Sequence, residues 1–421
     1  MVSTELVRQN KSTARQFSDT LVDRCRQGVA EQLDQLRDGQ LELHENGSRW
    51  VCGEVGSLHA ELTIDDASAW VDIALGGSIG AAESYMDGHW HSRDLTSLIQ
   101  LFARNLDALD RIESKQRWWN QATRKLAHWW YDNSRQGAKR NIARHYDLGN
   151  DMFKLWLDPL MMYSSAIYPH TNASLEQAAE YKLRRIAEKL KIKATDQVLE
   201  IGTGWGGLSI FLARNYGCHV TTTTISREQY DEAKARIEAL GLQDKITLLL
   251  QDYRELQGQF DKLVSIEMIE AVGLKYLPEY FRKCSSLLKP DGAFLLQSIT
   301  IADQRYDYAA SNVDFIQKYI FPGGALPSNS RIAECLRDDT DMMLMHHEDI
   351  GQHYARTLRD WRQRFLSNKE AILAQGYDQR FLRMWEYYLC YCEGGFLERT
   401  ISCAQLLMHK PRCRDLVSGL Q

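Results

Sequence analysis

Proline is scarce, with seven in 421 residues, and no low-complexity tract interrupts the chain, so long disordered segments are not expected. The nine cysteines are scattered without a Cys-x-x-Cys pair. An odd set of separate thiols fits a reducing cytoplasm better than a disulfide framework. No window approaches ~18 consecutive apolar residues, so no spanning helix is expected. The opening MVSTELVRQNKSTARQF lacks the apolar stretch of a secretory signal. A basic excess is missing too: 51 Lys and Arg face 56 Asp and Glu, which speaks against a globally basic nucleic-acid binder. What remains, 44% hydrophobic and 25% charged, is ordinary for a globular protein, and the length favours more than one domain.

Three segments differ in character. Residues 1–110 read as a small mixed α+β domain: His59 to Ile64 alternates as a half-buried strand should, and Leu98 to Leu106 carries an apolar helix face. Between them lies GGSIGAAESYMDGHW, Gly76 to Trp90, rich in glycine and aromatics. Residues 111–144 form a connector. From Ser114 to His145 it holds eight Lys and Arg against one Asp, interleaved with Trp118, Trp119, Trp129, Trp130 and Tyr131. Such a stretch is either a solvated helix whose tryptophans pack on a neighbouring domain or a contact for an anionic membrane surface.

From residue 145 to 421 strands alternate with helical runs. Strand-like segments begin at Gln197, His219, Ile246, Phe260 and Ala293; helices are expected over Leu175 to Leu190, Ser226 to Leu240 and Tyr276 to Leu288, with a turn at Lys289 to Gly292. This pattern implies an α/β fold with a doubly wound, mostly parallel sheet and a ligand crevice at the strand carboxyl ends. The last ~120 residues read as mostly helical additions to it.

The turn Glu200-Ile-Gly-Thr-Gly-Trp-Gly-Gly207 follows a strand and opens a helix. Gly202, Gly204 and Gly207 satisfy G-x-G-x-x-G, so a dinucleotide must be weighed. Two features oppose it. Glu200 would repel a pyrophosphate but suits the sulfonium and ammonium of S-adenosylmethionine. The second strand ends Thr222-Thr-Thr-Ile-Ser226, without the acid that an NAD ribose requires. The methyl donor is the better reading, with Asp252 and Tyr253 at a strand end placed beside its adenine.

Several further motifs resemble the cyclopropane-fatty-acyl-phospholipid synthases and related mycolic acid methyltransferases, over nearly the whole chain. They are the segment Gly76 to Trp90, HYDLGND (His145 to Asp151), Tyr163-Ser-Ser-Ala-Ile-Tyr168, the glycine turn, Thr224-Ile-Ser-Arg-Glu-Gln229, Gln251-Asp-Tyr-Arg254, Ile266-Glu-Met-Ile-Glu270, and Tyr319 to Pro327 with its YIFPGG. The resemblance implies the fold of a class I adenosylmethionine-dependent methyltransferase. It implies that the donor is held by Tyr163 and Ser164, by Glu200, Ile201, Gly202, Thr203, Gly204, Trp205 and Gly206, by Thr224, Ile225, Ser226 and Gln229, and by Asp252, Tyr253 and Arg254.

The implied reaction transfers a methyl group to the cis double bond of an unsaturated phospholipid acyl chain. The carbocation then loses a proton and closes a cyclopropane ring. By the same resemblance a bicarbonate ion takes the proton, in a pocket formed by Glu270, Tyr354, Ser165 and Gln297 with backbone near Ile266 and Ile299, and Cys392 lies near the active site. Tyr319, Phe321, Tyr387 and Tyr388 are candidates for an aromatic wall around the cation. The implied setting is the inner face of a cytoplasmic membrane, with peripheral attachment and a homodimer among the possibilities.

Each assignment has a plainer counterpart. Glu270 can be a helix N-terminal carboxylate, Tyr354 a packing residue, and Cys392, with no histidine beside it, a structural thiol. The family commonly has Cys at position 165, His at 297 and His after Glu270, where this chain has Ser165, Gln297 and Ala271. Ser and Gln donate hydrogen bonds, but Gln does not titrate. These departures leave methyl transfer intact and keep open a branched or methylene product, or a non-catalytic lipid-binding relative. His346 and His347 alternate sides on an extended strand, so no metal site is expected there.

Overall fold

A computed structural model describes residues 18–106 and 149–415. The connector at 111–144 and His145 to Leu148 of the HYDLGND motif lie outside the described residues. The chain divides into two compact units. Among the described residues the first comprises 18–106, Val313–Ile320 and Phe365–Glu398, and the second 149–312, Phe321–Arg364 and 399–415.

The first unit holds a four-stranded sheet, β1 (Gly39–Glu45), β2 (Ser48–Glu54), β3 (Leu58–Ile64) and β4 (Trp90–His91), in the order β2-β1-β3-β4. β1 alternates buried and half-buried residues along its length, as a sheet with one covered face demands. The segment Gly76 to Trp90 falls largely within a helix, Ser68–Met86, broken at Gly77, whose φ of 58° only glycine adopts without strain. Helix Gln379–Leu397, remote in sequence, belongs to this unit and lies against helix Leu95–Arg104. Thr96 Oγ1 donates to Glu393 Oε2 at 3.2 Å, and a Cβ at Gly394 would meet Ile99 Cγ2 at 2.6 Å. The carboxylate of Glu393 is thereby given a packing role.

The second unit is built on seven strands, β5 (Gln197–Ile201), β6 (His219–Thr224), β7 (Ile246–Leu250), β8 (Phe260–Ile266), β9 (Leu288–Ile301), β10 (Met343–Asp349) and β11 (Ile401–His409), in the order β10-β11-β9-β8-β5-β6-β7. β9, β8, β5, β6 and β7 run parallel; β11 is antiparallel to both β9 and β10. Both faces are covered. Leu199, Leu263, Phe294 and Leu296 point into one apolar core, and Val198, Val264, Ala293 and Leu295 into another. The near-continuous apolar strands follow from that double burial.

Helices appear where expected. Leu175–Leu190 begins at a capping box between Ser174 and Gln177, and Arg227–Ala239 at the Ser226 cap. Two expectations change. Lys289 to Gly292 lies inside β9, where the pairing jumps from Leu288 to Ala293 while β8 advances only from Phe260 to Lys262. The expected turn is therefore an outward loop in a strand. The last 120 residues contribute β10 and β11 as well as helices, and so complete the sheet.

Candidate active site

β5 stops at Ile201 because Gly202, Gly204 and Gly206 all take positive φ, 102°, 53° and 85°, which L side chains resist. The N–H groups of Gly202 and Thr203 donate to Thr223 O of β6, at 3.0 and 3.1 Å, pinning the turn to the neighbouring strand. Gly207 then opens helix Gly207–Tyr216, and a Cβ there would lie 2.6 Å from Leu160 O. β6 and β8 flank β5 on opposite sides, so the turn sits where the winding reverses, the usual ligand crevice of such a sheet.

Glu200 is 3% exposed. Its Oε2 accepts from Thr222 Oγ1 at 2.6 Å, and Thr222 and Thr203 share a 2.7 Å hydroxyl contact. Burial pushes its carboxyl up to about 8. A cation arriving nearby would favour the ionised form, and an anion would oppose it, so the donor set fits adenosylmethionine better than a pyrophosphate.

Around the turn, Trp205 Nε1 donates to Asn150 Oδ1 at 2.7 Å, joining the described end of HYDLGND to the glycines. Thr224 Oγ1 donates to Gln229 Oε1 at 3.0 Å, and the Gln229 N–H to Ser226 Oγ at 3.2 Å; Ile225 lies between them, half-buried. Beyond β7, Asp252 receives the Arg254 guanidinium at 2.9 and 2.7 Å, so the carboxylate expected to face an adenine amine is already ion-paired. Tyr253 stands edge-on to Tyr280, with centroids 5.5 Å apart. The Tyr163 ring stacks on Phe321 and is walled by Phe153 and Trp361. Ser164 Oγ accepts from Lys182 Nζ at 2.7 Å.

Six of the seven residues expected to do chemistry meet in the second unit, at the carboxyl ends of β8 and β9. Ile266 closes β8. Next comes Glu267, which no sequence argument singled out, at a positive φ of 49°. Its Oε1 accepts from the Ser165 N–H at 2.9 Å and from Gln297 Nε2 at 2.7 Å, with Cys403 Sγ at 3.6 Å; its Oε2 accepts from the Tyr354 hydroxyl at 2.7 Å. The Ser165 hydroxyl turns away to Ala166 O. The expected hydroxyl donor at residue 165 is thus replaced by its backbone.

Glu270 follows on the short turn Ile269–Ala271. Its Oε1 accepts from the Ile299 N–H at 2.6 Å and from Ser298 Oγ at 3.1 Å, while Oε2 is shut off from solvent with no partner among the described residues. Burial, and then the charge of Glu267, push Glu270 up to about 8. Burial raises Glu267 as well, against the pull of Tyr354, Gln297 and Lys182. Lys182 is fully buried and lowered to about 8 by that burial, with Glu267 and Asp158 opposing.

Gln297 is itself held. Lys189 Nζ donates to Gln405 Oε1 at 2.6 Å, Gln405 Nε2 to Gln297 Oε1 at 2.9 Å, and Gln297 Nε2 to Glu267. An ammonium only donates and a carboxylate only accepts, so the two amides between them have one consistent orientation.

A bicarbonate pocket was expected among these residues. The Ser165, Gln297 and Tyr354 donors all converge on Glu267, and a second anion there would face a resident carboxylate at close range. The residues present do not fit a free bicarbonate in that place. Cys392 belongs to the first unit, on helix Gln379–Leu397, where desolvation raises its thiol as for an unreactive cysteine. Tyr319, Tyr387 and Tyr388 are in the first unit too, and Phe321 in the second. On β10, His347 meets Asn329 Oδ1 at 3.2 Å and Glu348 is paired with Arg185 and Lys189.

Sequence signals for the missed residues exist in part. Lys182 interrupts the apolar face formed by Leu175, Ala178, Ala179, Leu183 and Ile186, a buried-cation signal in hindsight. Glu267 stood within the Ile266 to Glu270 motif, but only its φ and its three donors distinguish it.

Residues 133–406 match the family model described as mycolic acid cyclopropane synthetase. The chain is 39% identical to the tuberculostearic acid methyltransferase of Mycobacterium tuberculosis, over 76% of each chain. It is 38% identical to the cyclopropane-fatty-acyl-phospholipid synthase of Escherichia coli, over 84% of this chain and 89% of that one. A solved mycolic acid cyclopropane synthase, complexed with SAH and CTAB, superposes with a TM-score of 0.61 at 26% identity, covering 65% of this chain and 98% of that one. The chain belongs to the mycolic acid cyclopropane synthetase family and is an adenosylmethionine-dependent methyltransferase.

Proposed function

We propose that the protein transfers the donor's methyl group to the cis double bond of unsaturated phospholipid acyl chains and closes a cyclopropane ring. The observation that carries this reading is the pair of neighbouring carboxylates, Glu267 and Glu270, one turn from the donor glycines: Met268, between them, packs against Gly202. An alkene is a weak nucleophile, so the task of the site is alignment, exclusion of water and acceptance of one proton. The donor is assigned to Tyr163, Ser164, the turn from Glu200 to Gly206, Thr224 to Gln229, and Asp252 to Arg254. Among these, Glu200 meets its positive charge and Tyr163 and Phe321 offer ring faces to a developing cation. Similarity to the E. coli phospholipid synthase supports the acceptor.

Residues 1–110 and 111–144 are proposed as a lipid-facing domain and a basic, aromatic connector that holds the protein on the inner membrane surface, with residues 145–421 as the catalytic domain. No helix among the described residues is long and apolar enough to cross a membrane. A homodimer is compatible with this arrangement.

A second reading, methyl transfer that ends in a branched or methylene chain, is favoured by the 39% identity to a tuberculostearic acid methyltransferase and by Gln297, which cannot titrate. Mass spectrometry of lipids from cells with and without the enzyme tests both. A gain of one CH₂ that survives hydrogenation is the expected cyclopropane. A gain that hydrogenation converts to a saturated branched chain selects the second reading. Unchanged lipids would sink both.

A further inference from the structure

We propose that Glu267 is the built-in proton acceptor of this site, a side-chain carboxylate standing where a free anion would otherwise be held. The inference rests on the acyl-chain reading above and names the group that completes its reaction.

The geometry is that of an anion site already filled. Three donors from three separate elements converge on one carboxylate: the Ser165 backbone N–H, the Gln297 amide on β9 and the Tyr354 hydroxyl. The Lys189–Gln405–Gln297 chain fixes the direction of the amide donor. Lys182 adds a buried positive charge to the same neighbourhood. The backbone gives a second, independent sign. Glutamate at φ 49° is held in a left-handed conformation that favours glycine, and such strain is retained where surrounding contacts enforce it.

The two carboxylates differ in what they are offered. Glu267 has three oxygen and nitrogen donors. Glu270 receives the Ile299 N–H and the Ser298 hydroxyl on Oε1, and its Oε2 is enclosed without a partner among the described residues. Two close carboxylates do not ionise equally, and the one with more hydrogen-bond donors carries the charge. Glu267 is therefore the oxyanion, and Glu270, raised by burial and by its neighbour, is the protonated member.

The donor's S–CH₃ bond breaks, its methyl carbon bonds to one alkene carbon, and the neutral thioether departs. A C–H bond of the new methyl then breaks. Its proton passes to Glu267 Oε2, which has one donor and an unshared pair, and its electron pair forms the third ring bond to the cationic carbon.

The test uses the full chain with vesicles of dioleoyl phosphatidylglycerol, in buffer stripped of carbon dioxide and then with added bicarbonate. Product and released thioether are both measured. Wild-type product formation is expected to be indifferent to bicarbonate. Glu267→Gly, which relieves the backbone and leaves the donors around an anion-sized hole, should lose ~100-fold or more of product formation, as a missing general base does. Added bicarbonate or formate should restore part of it. Glu267→Gln fills the hole, cannot accept the proton, and should stay inactive under either condition; thioether-product binding by both variants shows that they are folded. A bicarbonate-dependent wild type, a Gly variant as active as wild type, or a folded Gly variant that no small anion revives would each overturn the proposal. Failure of the acyl-chain reading is seen separately, as a wild-type arm that yields no lipid one CH₂ heavier.

Discussion

In the proposed donor site, Glu200 is the buried side chain that would make donor binding depend on pH. Its carboxyl is protonated in the folded, donor-free protein up to about 8, against ~4.3 for an ordinary glutamate. A raised carboxylate pKa means that the folded state binds more protons than the unfolded one in that window, so Glu200 subtracts stability as pH rises from ~4.5 towards 8. A cationic donor reverses the preference and releases the proton on binding. Donor affinity should therefore rise with pH, by up to ~10-fold per unit, until the donor's own α-amino group begins to titrate near ~8. Calorimetric titration between about pH 6 and about 7.5 checks this. Glu200→Gln should flatten the slope; an unchanged slope would place the titration elsewhere. At this scale Glu200 and Glu270 could be singled out from the sequence because each sits in a chemically patterned motif. Glu267 was not, because its meaning lies in donors contributed by residues 165, 297 and 354.

Among the elements, the glycine turn and the helix behind it depend on a close approach that a single methyl group would prevent. Gly207→Ala would press a Cβ against the Leu160 carbonyl at 2.6 Å, a backbone atom that cannot rotate aside. A loss of ~1–3 kcal/mol is expected from such overpacking, together with weaker donor binding, read by denaturant melts and titration. The amide relay offers a second test. Gln405→Leu strands the Gln297 oxygen and leaves the Lys189 ammonium with Glu348 as its remaining partner, and should lower stability by ~1–3 kcal/mol while reducing turnover more than donor affinity. Equal losses in turnover and affinity would mean that the relay only supports the fold. Strands β5, β7 and β8 were readable from apolar runs, and β6 from its β-branched Val220 to Thr224, each bounded by turn residues. β11 was not: ISCAQLLMH is an apolar run that periodicity alone cannot assign to strand or helix, and only pairing with β9 and β10 decides it.

For the whole molecule, the units are discontinuous in sequence, with Val313–Ile320 and Phe365–Glu398 returning to the first. Sequence reading works along the chain and divides it at composition changes, so it has no means of returning a late helix to an early unit. The basic connector carries a prediction of its own. Replacing Arg124, Lys125, Lys139 and Arg140 with alanine should weaken binding to anionic vesicles, and the remaining binding should lose its steep salt dependence. Vesicle flotation at two salt concentrations measures this; undiminished flotation would remove the membrane role from that segment.

The relay from Lys189 to Glu267 also bears on how the enzyme returns to its starting state. Its two middle members are amides, which pass on polarity but hold no exchangeable charge at neutral pH. A proton taken up by Glu267 therefore has no exit through Gln297. Of the oxygen and nitrogen donors to Glu267 among the described residues, the Tyr354 hydroxyl alone can accept and release a proton in one motion by rotating about its C–O bond. In the proposed reaction Tyr354 is the drain of the site. Tyr354→Phe removes one donor from Glu267 and should slow the first turnover less than every later one, a burst that rapid-quench kinetics would resolve.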